Sequence, residues 1–336
     1  MIIKEVLREV LEYNHVSEQS AYDVAMEIMS GVTTDAQIAA FLVGLRMKGE
    51  TVDEITGFVR AMREKATAIN CDSVHLIDTC GTGGDKTGTF NISTLSAFVA
   101  AGAGCKVAKH GNRSVSSKCG SADLLEHIGI NIEITPEKMA QCIDEIGIGF
   151  LFAPLLHKAM KYAIGPRREI GVRTIFNILG PLTNPAGAER QLLGVFSNDL
   201  THLIARVLGN LGSQHCFVVH GEDGLDEITI TGKTYVSEFF EGEVKDYTIY
   251  PEDFGIERGM IEDIKVDGIE ANVHKAMQVL SGVAGPGRDI VVLNAGAAIY
   301  IGGKASRLEE GIELAKESID SGKAIEKYEM LKEFTQ

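Results

Sequence analysis

The sequence predicts an α/β protein in which a small all-helical domain precedes a larger α/β domain with a mostly parallel central sheet flanked by helices. Three observations carry this. Residues 1–70 place apolar side chains at helical spacing and show no strand pattern. From residue 71 onward, short apolar runs alternate with helical stretches, as in a parallel sheet covered on both faces. Two glycine-rich segments, Cys80 to Thr94 and Lys109 to Ser117, fall where predicted strands end, the edge at which such sheets take ligands.

Within residues 1–70 the pattern reads as four short helices. Ile3, Val6, Leu7, Val10 and Leu11 form the apolar stripe of the first. Ser17 caps a second that stops at Gly31. Thr34 with Gln37, and Thr51 with Glu54, read as capping boxes, and Gly49 ends the third helix.

In residues 71–336, Val74 to Asp78 is a predicted buried strand leading into the first glycine loop. Ser93 or Thr94 caps the helix that follows, through Ala97, Phe98 and Ala101. Lys106 to Ala108 is a second strand leading into the second loop. Ser121 caps a helix ending at Gly129, and Thr135-Pro136 opens another with proline at the first helical position. Ile148 to Ala153, Leu192 to Phe196 and Cys216 to Val219 are further strands. Residues 155–185 interrupt the alternation with a basic helical stretch expected to return to the N-terminal block. Residues 226–250 have hairpin character with Thr231-Gly-Lys233 as the turn, and the chain ends in a charged amphipathic helix.

With 336 residues, 45% hydrophobic and 24% charged, the chain can bury a large core. A formal charge of -15 argues against nonspecific nucleic-acid or anionic-membrane binding. The 6 cysteines show no CxxC spacing, which fits neither a zinc site nor a secreted disulfide framework and points to a reduced, cytoplasmic compartment. The N-terminus lacks an uninterrupted apolar h-region, and the longest apolar stretch, Ala97 to Cys105, is too short to span a bilayer.

Glycine lets backbone approach a ligand and turn several N–H groups one way, while Ser, Thr, Asn, Lys and Arg add donors. Gly81-Thr-Gly-Gly-Asp85 matches neither the dinucleotide fingerprint nor the Walker A spacing. Asn91, Ile92, Ser93 and Thr94 sit where a helix begins, a place that favours phosphate. In the second loop Lys109 and Arg113 flank His110, Gly111 and Asn112, and Ser114, Ser116 and Ser117 follow. His110 reads equally as a substrate-orienting group or a structural histidine. Asp226-Glu227 suits Mg²⁺ if substrate phosphates complete its shell, although a solvated acidic turn has the same pattern. Arg167 and Arg168 suit a substrate carboxylate or a helix ion pair with Glu169.

These residues resemble the anthranilate phosphoribosyltransferase family of tryptophan biosynthesis. The likeness runs through Gly81 to Asp85, Thr89 to Thr94, Lys109 to Ser117, Gly120 to Glu126, Gly165 to Arg168, Gly171 to Leu182, Asn184-Pro185 and Asp226-Glu227. Cys80, Lys86 and Cys119 depart from the Val, Gly and Ser common at those places. The resemblance implies a dimer whose fold is shared with pyrimidine nucleoside phosphorylases, and Mg²⁺-dependent transfer of phosphoribose from phosphoribosyl pyrophosphate to the anthranilate amine. It implies donor contacts at Gly81, Gly84, Asp85, Thr89, Asn91, Ile92, Ser93, Thr94, Lys109, His110, Gly111, Asn112, Arg113, Ser114, Val115, Ser116, Ser117 and Ser121. Anthranilate contacts would fall at Gly81, Asn112 and Arg167, and metal contacts at Ser93, Asp226 and Glu227. No side-chain nucleophile is expected. The competing readings are a pyrimidine nucleoside phosphorylase, disfavoured by Lys109-His-Gly-Asn-Arg113, and a noncatalytic nucleotide- or nucleic-acid-binding relative, disfavoured by the acidic pair and net charge.

Overall fold

The computed structural model describes residues 1–84, 87–113 and 119–336. The chain opens with α1 Ile2–Leu11, α2 Glu18–Met29, α3 Asp35–Lys48 and α4 Val52–Lys65; local caps set the last three, while the Glu27 carboxylate accepts from the first N–H groups of α1. Ser17 caps α2, both capping boxes form, and Gly49 closes α3 with φ at 87°. Their apolar faces share one core, in which Phe41 stacks on Phe58 at 5.9 Å.

The rest of the chain runs β1 Ile77–Gly81, α5 Ile92–Gly102, β2 Val107–Gly111, α6 Ser121–His127, α7 Pro136–Gln141 and β3 Ile148–Phe152. Short helices α8 Ala153–Leu156, α9 Lys161–Ile170 and α10 Phe176–Leu182 follow, then β4 Arg190–Gly194, α11 Thr201–Asn210, β5 His215–Gly221, β6 Thr234–Phe240 and β7 Glu243–Ile249. Helices α12 Gly268–Leu280, α13 Pro286–Ile301, α14 Leu308–Asp320 and α15 Lys323–Phe334 complete it.

The strands form one 7-stranded sheet in the order β3-β2-β1-β4-β5-β6-β7. The first five are parallel, and β6 and β7 add antiparallel to the β5 edge. Alternating side chains serve opposite faces. Leu192 and Phe217 pack with α5, α13, α14 and α15. Leu193 and Val218 pack with α10, α11 and the N-terminal helices, so the helical block and its return segment cover the other face. Helix α13 is buried all round from Ile290 to Ile299, where its sequence is apolar except for Asn294.

Several boundaries differ from the sequence reading. Strand β1 starts at Ile77, because Val74 is 72% exposed and His75 takes a left-handed φ of 56°. Strand β2 runs on to Gly111, so Lys109 and His110 belong to a strand and not a loop. Helix α5 has Asn91 at its N-cap, and Ser93 and Thr94 lie inside its first turn. Gly120, not Ser121, precedes α6. The hairpin turns at Glu241-Gly242, both at positive φ (51° and 85°), the backbone a two-residue hairpin turn demands. Thr231 lies in the β5–β6 connection, where its hydroxyl donates to Asp223 Oδ2 at 2.6 Å. Helices α12 to α14 had no counterpart in the sequence reading.

Candidate active site

The chain adds β2 and β3 on one side of β1 and β4 on the other, so strand direction of growth reverses between β1 and β4. A crevice opens at the carboxyl ends of strands beside such a reversal. Gly81 ends β1 and pairs in register with Gly194, which ends β4. A Cβ on Gly81 would strike the Asp226 carboxylate, and one on Gly194 would strike the Asp226 backbone. Two facing glycines thus let the loop after β5 bring Asp226 onto the first glycine loop.

The acidic pair clasps that loop. Asp226, 9% exposed, accepts from the Gly83 N–H at 2.7 Å, and Glu227 accepts from the Ser93 N–H at 3.2 Å, in the first turn of α5. The loop is pinned twice more. Thr82 N–H donates to Gly194 O at 2.9 Å, and Arg173 donates to the Gly84 carbonyl while stacking over Phe196 at 4.1 Å. Downstream, Gly88 O accepts from Val266 N–H at 2.9 Å, and Thr89 bridges to Lys265. Asn91 does not cap α5 with its side chain; Asn272 of α12 grips it instead, with Nδ2 donating to Asn91 Oδ1 at 2.9 Å.

Lys109 is buried beneath both loops. Its ammonium donates to the Thr79 carbonyl and, at 3.4 Å, to Ser93 Oγ. Burial lowers its pKa, while Asp78 and Glu227 work in the other direction. The fully buried Asp78 carboxyl is pushed up to about 6 by desolvation, against the pull of Lys109. His110 is buried too, with its Nε2 3.2 Å from Nε2 of His157. Desolvation, and secondarily the neighbouring imidazole, pull His110 down to about 3, and desolvation pulls His157 down to about 4. Both rings are therefore neutral at pH 7, so neither serves as an imidazolium acid there.

The second loop begins at Gly111, where a Cβ would strike Ser121 Oγ and Phe150. Ser121 Oγ and the Ala122 N–H both donate to Asn112 O at 3.2 Å. Arg113 turns back to Asp123 and Glu126, lies 5.4 Å over Phe152, and is held charged by that pairing. Arg167 is half-buried on α9, its guanidinium 5.0 Å over Phe176, and burial lowers its pKa. Arg168 is exposed. Asp85, Ser114, Val115, Ser116 and Ser117 lie outside the described residues.

The structure thus gathers Gly81, Gly84, Ser93, Lys109, Asp226 and Glu227 around one strand edge. It also adds residues the sequence reading left without roles. Asp78 entered the sequence reading only as the last residue of a predicted strand. Arg173 and Asn184 lay within the family-like segments, and His157 and Asn272 carried no signal of their own.

A Mg²⁺ ion fits this setting. Its preferred ligands are oxygens, and it usually takes one or two carboxylates and leaves the rest of its shell to waters and phosphates. The adjacent Asp226 and Glu227 carboxylates supply such oxygens beside Ser93. Among the described residues no three His, Cys, Asp or Glu side chains converge into a self-sufficient metal cage. Among the described residues the buried Thr94 hydroxyl, in the same helical turn, has no hydrogen-bond partner.

Comparison with known proteins agrees along the whole length. Residues 4–66 match the model of the glycosyl transferase family helical bundle domain, and residues 73–325 match that of the family's a/b domain. The anthranilate phosphoribosyltransferase of Thioalkalivibrio sulfidiphilus is 56% identical over 335 residues, covering 100% of this chain and 99% of that one. The chain belongs to the anthranilate phosphoribosyltransferase family. The crystal structure of the Thermus thermophilus family member is 43% identical, with a TM-score of 0.93 over 98% of both chains. The Saccharomyces cerevisiae family member in complex with phosphoribosyl pyrophosphate and Mg is 27% identical, with a TM-score of 0.90 over 99% of this chain and 97% of that one.

Proposed function

We infer that this chain transfers the phosphoribosyl group of 5-phosphoribosyl 1-pyrophosphate to the amine of anthranilate, giving N-(5-phosphoribosyl)anthranilate and pyrophosphate, the second step of tryptophan synthesis from chorismate. It is a Mg²⁺-dependent glycosyltransferase. The observation that carries the reading at the level of chemistry is the acidic pair set against a glycine loop and the N-terminal turn of α5.

The amine lone pair forms the new C1–N bond as the C1–O bond breaks; pyrophosphate departs with the bonding electrons, and the nitrogen then sheds one proton. When bound, Mg²⁺ supplies positive charge to the departing pyrophosphate. Asp226, Glu227 and Ser93 would hold it. The first glycine loop, the start of α5 and the second loop would bind the donor through N–H and hydroxyl groups, stabilising charge with little reorganisation. Anthranilate's aromatic amine is uncharged at neutral pH and needs little help from a base. Catalysis then rests on holding it near C1. The neutral His110 suits an orienting role. Arg113 would have to leave Asp123 and Glu126 to meet a phosphate.

Arg167, with Gly81 and Asn112, would receive anthranilate, the guanidinium pairing with its carboxylate. Arg167→Ala should raise KM for anthranilate at least tenfold more than KM for the donor, consistent with the roughly 2 kcal/mol or more that a half-buried charged hydrogen bond contributes. Equal rises would assign Arg167 to the fold or to the donor.

Residues 1–70 with the return segment form one unit, and residues 71–336 the other, in a division whose closure would gate the site. A cytoplasmic homodimer completes the proposal. The exposed Leu11 (63%) and Met47 (68%), on helices α1 and α3 that pack together, supply apolar surface for it. Among the described residues no helix is long and apolar enough to cross a membrane.

Calorimetric titration with phosphoribosyl pyrophosphate and Mg²⁺, followed by fluorescence detection of anthranilate consumption, tests the reaction. Binding with turnover is expected. Phosphorolysis of thymidine or uridine instead, or binding without turnover, would overturn it.

A further inference from the structure

Strands β1 and β2 carry the two glycine loops, yet their ladder register is confined to Ile77↔Val107. Each pairs fully with its other neighbour, β1 with β4 from Ile77 to Gly81 and β2 with β3 from Val107 to Gly111. The single rung is sealed by Ile77 N–H donating to Lys106 O at 2.9 Å. A parallel ladder continued from there would give the Ala108 carbonyl to the Thr79 N–H, and the Thr79 carbonyl to the His110 N–H.

Side chains engage three of these four groups. Asn184 Nδ2 donates to Ala108 O at 2.7 Å, Lys109 Nζ donates to Thr79 O, and His110 N–H donates to Asp78 Oδ1 at 3.1 Å. Asn184 also donates to Asp78 Oδ2 at 2.8 Å, and its Oδ1 accepts from Ala186 N–H at 2.9 Å, so the amide is fully used and its orientation fixed. Asp78 is 0% exposed, Asn184 2% and Lys109 3%. Breaking a ladder inside a buried sheet is costly unless every freed group finds a partner. Here replacements are built in for the Ala108 and Thr79 carbonyls and the His110 N–H, and they come from both strands and from Asn184, two residues past α10.

We propose that Asp78 and Asn184 are positioning residues that hold β1 and β2 apart beyond Ile77 and Val107, so that the two loops leave the sheet on separate, fixed paths for the phosphoribosyl donor. The inference rests on the reading that both loops bind that donor. Asp78 cannot be replaced by its amide without loss. Both of its oxygens receive N–H donors, so an asparagine there must face one N–H with another.

The test compares Asn184→Ala and Asp78→Asn with Ser318→Ala, which removes a buried hydrogen bond of similar kind to Val99 O on the far face. Steady-state kinetics give both KM values and kcat, and calorimetry gives binding of phosphoribosyl pyrophosphate with Mg²⁺. The donor KM should rise about tenfold or more in both fork variants, the scale of effect from small misplacement of binding groups. KM for anthranilate should change little, and Ser318→Ala should leave the donor KM unmoved. If one fork variant fails to fold, the other decides. If both fail, hydrogen exchange on the wild type decides: slow exchange of the His110 amide supports the fork, and exchange as fast as an exposed loop overturns it. An unchanged donor KM, or an equal rise in Ser318→Ala, would also overturn it. Failure of the wild-type protein to bind the donor would instead sink the functional reading.

Discussion

The two junctions flanking β1 solve opposite problems at the same sheet edge. Against β4, the strand is paired to its last residue, and space is made by omission: Gly81 and Gly194 carry no Cβ, and Asp226 fills what they leave. Against β2, the ladder stops after one rung, and space is made by insertion of Asp78, Lys109 and Asn184. The first junction brings an acidic loop in; the second sends two donor-rich loops apart. A site for a polyanion with its metal needs both, carboxylates for the cation and separated N–H donors for the phosphates.

The closed junction should be the more fragile. Gly194→Ala puts a methyl into the Asp226 backbone, which cannot rotate away, so we expect a loss of about 3 kcal/mol or more in denaturant unfolding together with loss of activity. Near-normal stability would mean that the acidic loop is held less tightly than the packing implies. Gly81→Ala meets the movable Asp226 carboxylate, so activity should suffer more than stability.

Next in size is the acidic pair itself. Asp226→Asn with Glu227→Gln should cut kcat/KM by about two to three orders of magnitude and shift the Mg²⁺ concentration needed for half-maximal rate upward. Retention of both values would remove these residues from the metal site.

The smallest effect concerns the open side, where His110 and His157 face each other. Their folded pKa values, about 3 and about 4, lie below the ordinary 6.5. As pH falls below 6.5 the unfolded chain binds protons that the folded one refuses, so stability drops until the folded pKa values are reached. Asp78, raised to about 6, acts the other way between pH 6 and 3.8 and offsets part of this. His157→Gln should therefore flatten the fall in stability between pH 6.5 and 4, by at most about 1.4 kcal/mol per pH unit. An unchanged slope would show that His157 is not a buried neutral base.

Legibility in the sequence followed the range of the forces. The N-terminal helices were readable because Ser17, Thr34 and Thr51 cap through neighbours three residues away. The glycine loops and the acidic pair were readable as residue types. The start of α5 was misplaced because its donors answer to Glu227 and Asn272, far along the chain, and not to a local cap. The hairpin turn was misplaced because Thr231 serves Asp223, while Glu241 accepts a left-handed φ. The roles of Asp78 and Asn184 were not legible for the same reason: they depend on a ladder that stops short, and pairing register is not written in either strand alone.

The most direct test is a crystal structure of the protein with phosphoribosyl pyrophosphate and Mg²⁺ bound. Phosphate oxygens are expected at the first turn of α5 and along both glycine loops, with a metal on the Asp226 and Glu227 carboxylates. A donor bound elsewhere, with those carboxylates still clasping Gly83 and Ser93 and no cation on them, would contradict this.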